Sequence, residues 1–213
     1  MKTLLAMPCM DTVATRFFIS VLGMQRFPGD ESTATESSLV YDARNMLANK
    51  AIVEGFDRVL WLDSDMVFEP DLEQRLSARL DEGYDIVSGL YFTRKSPIRP
   101  VIYKEIYIEQ NEDGSVKPVS VNYDDYPRDS FFEIAACGFG AVMMTVDVLK
   151  RIRDHFGLPF SPAIGFGEDL SFCMRAKELG IPIWCDSSIK LKHIRHYEVS
   201  EEDYLKTLGG QDG

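Results

Sequence analysis

The sequence predicts an α/β fold: a mostly parallel central sheet with helices on both faces and a small antiparallel addition. Three observations predict it. In the first half, short apolar runs that end in loops alternate with segments of helical spacing, in the order β-α-α-β-α-β. In the middle, the pattern changes to the polar/apolar alternation of exposed strands around a hairpin-type turn. The length of 213 residues, with 45% hydrophobic and 27% charged residues, suits a globular domain. A chain of this size buries roughly 70% of its unfolded surface and needs no disulfide or metal staple.

Residues 3–7 read as a short buried strand. Residues 12–24 carry helical spacing through Val13, Phe17, Ile19 and Leu22. Residues 25–36, with Pro, Gly, Asp, Ser and Thr, read as a loop. Residues 42–54 form a helix stopped by Gly55. Residues 58–62 are a strand, and Asp63 begins the loop at its C-terminal end. Residues 72–82 are an amphipathic helix closed by Gly83, and 86–90 are a further strand. Residues 101–107 and 119–122 pair across the turn Asn111-Glu112-Asp113-Gly114. A strand over 141–146 leads into a helix from 147 to about 155. The Gly- and Pro-rich loop 159–167 then opens a helix at Glu168-Asp169 that ends before Gly180. Two short strands follow, near 183–185 and 189–193. Residues 1–197 are expected to be one domain. Residues 198–213 are expected to be a tail with a short helix, started by the capping box of Ser200 and Asp203.

The net charge is 23 − 34 = −11. A field of that sign disfavours non-specific binding to nucleic acid or to anionic membranes, while leaving room for one small basic pocket for a phosphate. No segment reaches the ~20 apolar residues of a membrane span. The longest apolar run, 134–144, is short and contains two glycines. The apolar start before Pro8 reads as a first strand rather than a signal peptide. Cys9, Cys137, Cys173 and Cys185 form no C-x-x-C pair and no zinc spacing, so reduced thiols and a cytoplasmic chain are expected.

Four features carry chemistry. In Leu60-Trp61-Leu62-Asp63-Ser64-Asp65, an apolar strand delivers two carboxylates to the sheet edge where ligands of open α/β sheets bind. Two such carboxylates attract a cation, and oxygen ligands suit Mg²⁺ or Mn²⁺. An Asx turn after the strand is the plainer use of the same residues. Gly165-Phe166-Gly167-Glu168-Asp169 brings glycine-rich chain to a helix whose first turn holds two acids. They either match the helix dipole or face a pocket as a base. His193, with His196 as its alternative, ends a late strand and suits a manganese site. Arg44 and Asn45 lie early in the helix before the Asp63 strand, and Arg94 and Lys95 follow the strand ending at Leu90. These arginines suit a phosphate or a carboxylate.

Taken in order, Ala43-Arg44-Asn45, Asp63-Ser64-Asp65, Gly138-Phe139-Gly140 and Gly167-Glu168-Asp169 resemble the GT-A-type nucleotide-sugar glycosyltransferases of the family 2-like kind. A late histidine after Trp184-Cys185-Asp186 completes the resemblance, which runs from about residue 3 to 195. It implies a GT-A-like, Rossmann-type three-layer sandwich. It also implies a nucleotide-sugar donor (UDP favoured) and an acceptor hydroxyl on a glycan, protein or small molecule. By resemblance, Asp65, with or without Asp63, and His193 would hold Mn²⁺ or Mg²⁺. Asp63, Ser64, Arg44 and the loop Pro8-Cys9-Met10 would contact the donor, as would Asn45, Arg94 and Gly138. Asp169 matches the general base, with Glu168 beside it, and transfer would proceed with inversion. An aspartate at a helix N-terminus is expected to have a low pKa unless it is buried.

Other readings share parts of this pattern. The string Asp63-Ser64-Asp65-Met66-Val67 also fits a haloacid-dehalogenase-like, Mg²⁺-dependent phosphatase with Asp63 as nucleophile. A nucleotidyltransferase shares the sheet architecture, but Met7-Pro8-Cys9-Met10-Asp11 lacks the Gly-rich, Arg-containing loop it needs. An inert nucleotide-sugar-binding module would keep the fold without the base.

Overall fold

The chain was described through a computed structural model covering residues 1–163, 165–195 and 201. Its elements run in the order β1 (Thr3–Cys9), α1 (Thr15–Gly23), β2 (Glu31–Glu36), α2 (Val40–Val53), β3 (Arg58–Leu62), β4 (Met66–Val67), α3 (Leu72–Asp81) and β5 (Ile86–Leu90). Then follow β6 (Ile102–Gln110), β7 (Val116–Asn122), β8 (Phe131–Ile134), β9 (Ala136–Cys137), β10 (Ala141–Thr145), α4 (Val146–Phe156), α5 (Glu168–Glu178), β11 (Ile183–Lys190) and β12 (Lys192–His193).

The main sheet has the order β2-β1-β3-β10-β5-β11-β8. Strands β2, β1, β3, β5 and β11 run one way, and β10 and β8 run the other. The fold is therefore the expected α/β one with a mostly parallel sheet. A three-stranded antiparallel sheet, β7-β6-β9, and the two-stranded β12-β4 are the additions.

Strand β3 shows how the layers form. All five of its residues are buried, so both faces must be covered. Val59 and Trp61 face a core shared with Leu47 of α2, Leu149 of α4 and Phe172 of α5. Leu60 and Leu62 face the opposite core, with Phe17 of α1 and Leu76 of α3. The period-2 alternation of the strand thus assigns each helix to its layer.

Several elements differ from the sequence reading. Residues 31–36, read as loop, form β2, which pairs in parallel with β1 from Leu4↔Glu31 to Cys9↔Glu36. Its Glu-Ser-Thr-Ala-Thr-Glu sequence has no large apolar residue because it is an edge strand with most of its residues exposed. The two late strands are largely one, β11, whose register shifts between Asp186 and Lys190. The gap in the apolar pattern is that bulge, and a bulge bends a strand. After it the Leu191 N–H donates to the Leu90 carbonyl, and β12 crosses to β4. Strands β4, β8 and β9 were not foreseen. The proposed tail helix, its capping box and His196 lie outside the described residues.

Gly138-Phe139-Gly140 proves to be a packing element. The Gly140 N–H donates to the Tyr91 hydroxyl (3.2 Å), and the Gly140 carbonyl accepts from the Asp63 N–H (3.3 Å). A Cβ at Gly138 would collide with the Tyr91 hydroxyl and stand 2.8 Å from Val101 Cγ1. Gly138→Ala is therefore expected to cost about 1–3 kcal/mol by overpacking. Urea unfolding measures this, and an unchanged midpoint would contradict the packing role.

Candidate active site

Strands β1 and β3 end side by side, with Leu4↔Val59 and Ala6↔Trp61 in register. Their C-terminal loops, the start of α2, the start of α5 and β12 surround a cleft of ≈ 470 Å³. Pro8, Cys9 and Met10 line it from the first loop, and Asp63, Ser64 and Asp65 from the second. Arg44, Arg94, Glu168 and His193 complete the set of expected residues found there. These segments are separated by up to 185 residues of sequence (193 − 8) and meet only because the sheet collects its strand ends at one edge.

Arg44 is the keystone. Its side chain is 2% exposed. Its Nη2 donates to Asp63 Oδ1 (2.7 Å), and its Nε donates to Glu168 Oε1 (3.2 Å). Its guanidinium carbon lies 5.3 Å from the Phe139 ring centre, with Trp61 and Phe160 at 5.9 and 6.0 Å. Burial alone would lower the Arg44 pKa, but the charges of Asp63 and Glu168 outweigh it and raise it. Arg44 therefore braces the D-x-D strand against α5.

Asp63 feels opposing effects. Burial raises its carboxyl above the ordinary range, Arg44 opposes this, and Asp65 and Glu168 reinforce it. A third of its side chain stays open, which bounds how far burial can act.

Asp65 and His193 form a second group. Antiparallel pairing places His193 opposite Met66, and the Ile194 N–H donates to the Asp65 carbonyl (2.9 Å). Nε2 of His193 lies 3.4 Å from Asp65 Oδ2, which also accepts from Arg94 Nη1 at 2.7 Å. Nδ1 stands 2.9 Å from the Phe92 carbonyl oxygen. A carbonyl only accepts, so Nδ1 carries the proton and Nε2 is the nitrogen turned to Asp65. Burial would lower the His193 pKa, but the bonds to Asp65 and Phe92 raise it. Burial would raise Asp65, but His193 and Arg94 bring it below the usual carboxylate range.

The donor set could take a divalent ion that accepts both oxygen and nitrogen ligands, such as Mn²⁺. A carboxylate oxygen and an imidazole nitrogen converge, and the imidazole is oriented through its other nitrogen as metal-binding histidines are. Arg94 now supplies the positive charge that Asp65 attracts. No group of three His, Cys, Asp or Glu side chains converges among the described residues. With only these two protein ligands, substrate phosphates and water would have to complete the shell. Asp63 is engaged with Arg44 instead.

Asp169 departs from the low pKa expected at a helix N-terminus. Burial, reinforced by the neighbouring Glu168, pushes it up to about 6, against the Leu170 N–H bond at 2.7 Å and the charge of Arg44. It sits beside the cleft wall formed by Glu168 rather than among the lining residues.

Two expected residues are placed elsewhere. Asn45 Oδ1 accepts from the Phe160 N–H (3.0 Å) and so ties α2 to the loop before α5. Gly138 packs on Tyr91, as described above. Ser37, Ser38 and Val40 line the cleft and were missed. Ser37 Oγ accepts from the Leu39 N–H (3.1 Å), and the Ser37 N–H donates to the Cys9 carbonyl (3.1 Å). Two serines just ahead of a helix were the available signal. They reach the site because β2 runs beside β1. Cys9 is half-buried, the other three cysteines are buried, and all four are free thiols. Among the described residues no helix is long and apolar enough to cross a membrane.

No protein-family profile matches the chain, and no curated protein matches it. Among solved structures it is similar to A197 from STIV, with 22% identity and a TM-score of 0.63 over 92% of this chain and 87% of that one. It is also similar to GalNAc-T7, a GT-A glycosyltransferase solved with UDP, GalNAc and Mn²⁺, with 10% identity and a TM-score of 0.59. That match covers 92% of this chain and 43% of GalNAc-T7, so the chain spans less than half of that protein's length. At such identities the likeness is one of fold.

Proposed function

We propose that the chain is a metal-dependent glycosyltransferase that moves a sugar from a nucleoside-diphosphate sugar, UDP favoured, to an acceptor hydroxyl with inversion. One observation carries the reading. The Asp65–His193 pair, the Arg44-braced Asp63 and the Glu168-Asp169 helix start lie at one sheet edge of a GT-A-like fold. GalNAc-T7, with the same kind of fold, was solved with a nucleotide and Mn²⁺.

In this reading the loop Pro8-Cys9-Met10 and Ser37-Ser38 flank the nucleotide, and Arg44 keeps Asp63 turned toward it. Asp65 and His193 Nε2 would hold Mn²⁺ or Mg²⁺. An ion bound there supplies positive charge against the diphosphate as it leaves. Asp169, ionised at neutral pH because its pKa is about 6, takes the proton of the acceptor hydroxyl. The acceptor oxygen bonds to C1 of the sugar as the bond from C1 to the diphosphate oxygen breaks. The products are the glycosylated acceptor and the nucleoside diphosphate.

The test is thermal unfolding with nucleoside diphosphates and Mn²⁺. UDP with Mn²⁺ at 100 times its Kd is expected to stabilise the fold by about 2.7 kcal/mol. His193→Ala is expected to remove most of the Mn²⁺-dependent part, measured against the variant's own ion-free melting temperature, which falls with the loss of the Phe92 and Asp65 contacts. No shift with any nucleoside diphosphate would sink the reading. A phosphoaspartate trapped at Asp63 would replace it with the phosphatase.

A further inference from the structure

A buried carboxyl group outside the cleft ties α3 to the first residues of β1 and β2, the ends of those strands opposite to the cleft. Glu73 lies in the first turn of α3, and its side chain has no exposed surface. Its Oε2 accepts from Arg26 Nε at 3.3 Å, and its Oε1 is buried without a hydrogen-bond partner among the described residues. Asp30, from the loop between α1 and β2, stands at hydrogen-bonding approach to Glu73. Asp30 is itself committed. Its Oδ1 accepts from the Thr3 N–H (2.8 Å) and its Oδ2 from the Phe27 N–H (2.9 Å). Arg26 goes on to the start of β2, where Nη2 donates to the Glu31 carbonyl (3.0 Å) and Nη1 to Ser32 Oγ.

A bond between Glu73 and Asp30 needs a hydrogen. Ionised carboxylates only accept, so one of the pair must carry a proton. Both Asp30 oxygens already accept backbone N–H groups, which places the proton on Glu73 Oε1. The charges of Arg26 and Asp30 then cancel, and Glu73 buries no charge. Loss of the proton would set a second carboxylate beside Asp30 with one arginine between them. Other charged groups around α3 are engaged elsewhere. Arg58 of β3 bonds the Ser77 carbonyl and Asp81 at the far end of the helix, and Lys2 bonds Glu31. Strands β5 and β10, which α3 packs on, carry no charged residue. On its own segment, Glu69 is exposed, Asp71 is half-buried and Arg75 donates to Ser188 Oγ (2.8 Å).

What the cluster holds is the weakest edge of the sheet. Among the described strands β2 hydrogen-bonds to β1 alone, and it has no large apolar residue to bury. We propose that Glu73 keeps a proton in the folded domain, bonds through it to Asp30, and so latches the α1–β2 loop and edge strand β2 onto α3, with release as that proton is lost on the alkaline side of neutrality. Burial, reinforced by Asp30 and opposed by Arg26, pushes Glu73 up to about 7. This folded value lies above the ordinary 4.5, so the latch is fully closed below 4.5 and weakens as pH rises through about 7. Strand β2 runs straight into Ser37 and Ser38, so the latch also sets how firmly that wall of the cleft is held. None of Arg26, Asp30 and Glu73 lines the cleft, and the latch does not rest on the glycosyltransferase reading.

The experiment measures amide hydrogen exchange at pH 6 and pH 8 in the wild type and in Glu73→Gln. Protection factors divide out the intrinsic pH dependence of exchange and report local opening. Glutamine keeps the shape, accepts from Arg26 and donates to Asp30, but it does not titrate. With a latched value of about 7 and a released value of 4.5, wild-type protection over residues 31–37 is expected to fall about tenfold from pH 6 to pH 8. In Glu73→Gln it is expected to stay within about twofold. Asp169 titrates in both proteins and cancels in the comparison. The ¹³Cδ shift of Glu73 in the wild type needs no variant, and its midpoint is expected near 7. Three results overturn the proposal. One is a Glu73 midpoint in the ordinary carboxylate range. Another is wild-type protection over 31–37 that is unchanged, or that changes as much in Glu73→Gln. The third is a loss shared equally by β3 and β5, which would make the opening global.

Discussion

Asp169→Asn is expected to lower the transfer rate by about 10²–10⁴-fold, the usual contribution of a positioned general base, while leaving UDP binding in place. The amide keeps the shape and can still accept the Leu170 N–H bond, but it cannot take a proton. In the wild type, the rate is expected to rise with pH through about 6 and level off above it, because only the ionised carboxylate accepts the acceptor's proton. A wild-type rate in the variant would show that Asp169 is not the base.

The same group makes a stability prediction with a defined sign. Its folded pKa of about 6 lies above the unfolded value of 3.8. The protonated form is therefore favoured by folding. Its contribution is fully present below 3.8 and is lost as pH rises through about 6. Asp169→Asn removes the buried charge next to Glu168, so the variant should melt higher than wild type at pH 8, and the gap should close toward pH 4. A more active but less stable wild type is what a base held up by burial entails.

Arg44→Met is expected to be the most destabilising substitution at the site. Removing one partner of a buried ion pair costs about 3–5 kcal/mol, because the carboxylates left behind lose their counter-charge. Asp63 is 33% exposed and Glu168 15%, so water recovers part of this and the expected cost is about 3 kcal/mol. For a chain of this size, that corresponds to a fall in Tm of about 6–12 °C. Methionine retains much of the packing against Phe139 and Phe160, which isolates the charge effect. Arg44→Lys should recover little, since one ammonium cannot replace two nitrogens of a planar fork aimed at two carboxylates. The Arg44→Met/Asp63→Asn double variant should be less damaging than the sum of the single changes. A melting temperature unchanged by Arg44→Met would show that the brace carries no load.

Most of the site was legible because its residues sit where strands end. Asp63 and Asp65 follow an apolar run that can only be a buried strand, and Glu168-Asp169 opens a helix after glycines. Ser37 and Ser38 were not legible. They depend on β2, an edge strand with too little apolar surface to show a pattern. The contacts of Arg44 and Gly138 were not legible either, for a related reason. A sequence shows that an arginine precedes a strand, but not that 2% of it will be exposed, nor that a tyrosine ring will fill the space above a glycine.

The alternation of buried strands with amphipathic helices was enough to give the α/β layering and to put the acidic residues at strand and helix ends. Local hydrophobic periodicity carries that much, because each element must bury its own apolar face. Which groups touch is set by the tertiary packing. It placed an antiparallel strand between β3 and β5, swung His193 onto Asp65 through the bulge in β11, and turned Arg44 inward onto two carboxylates. It also raised Asp169 to about 6, where helix position alone predicted a low value. Burial and non-local pairing set these features, and both depend on residues more than a hundred positions apart in the chain, such as Arg44 and Glu168 or Phe92 and His193.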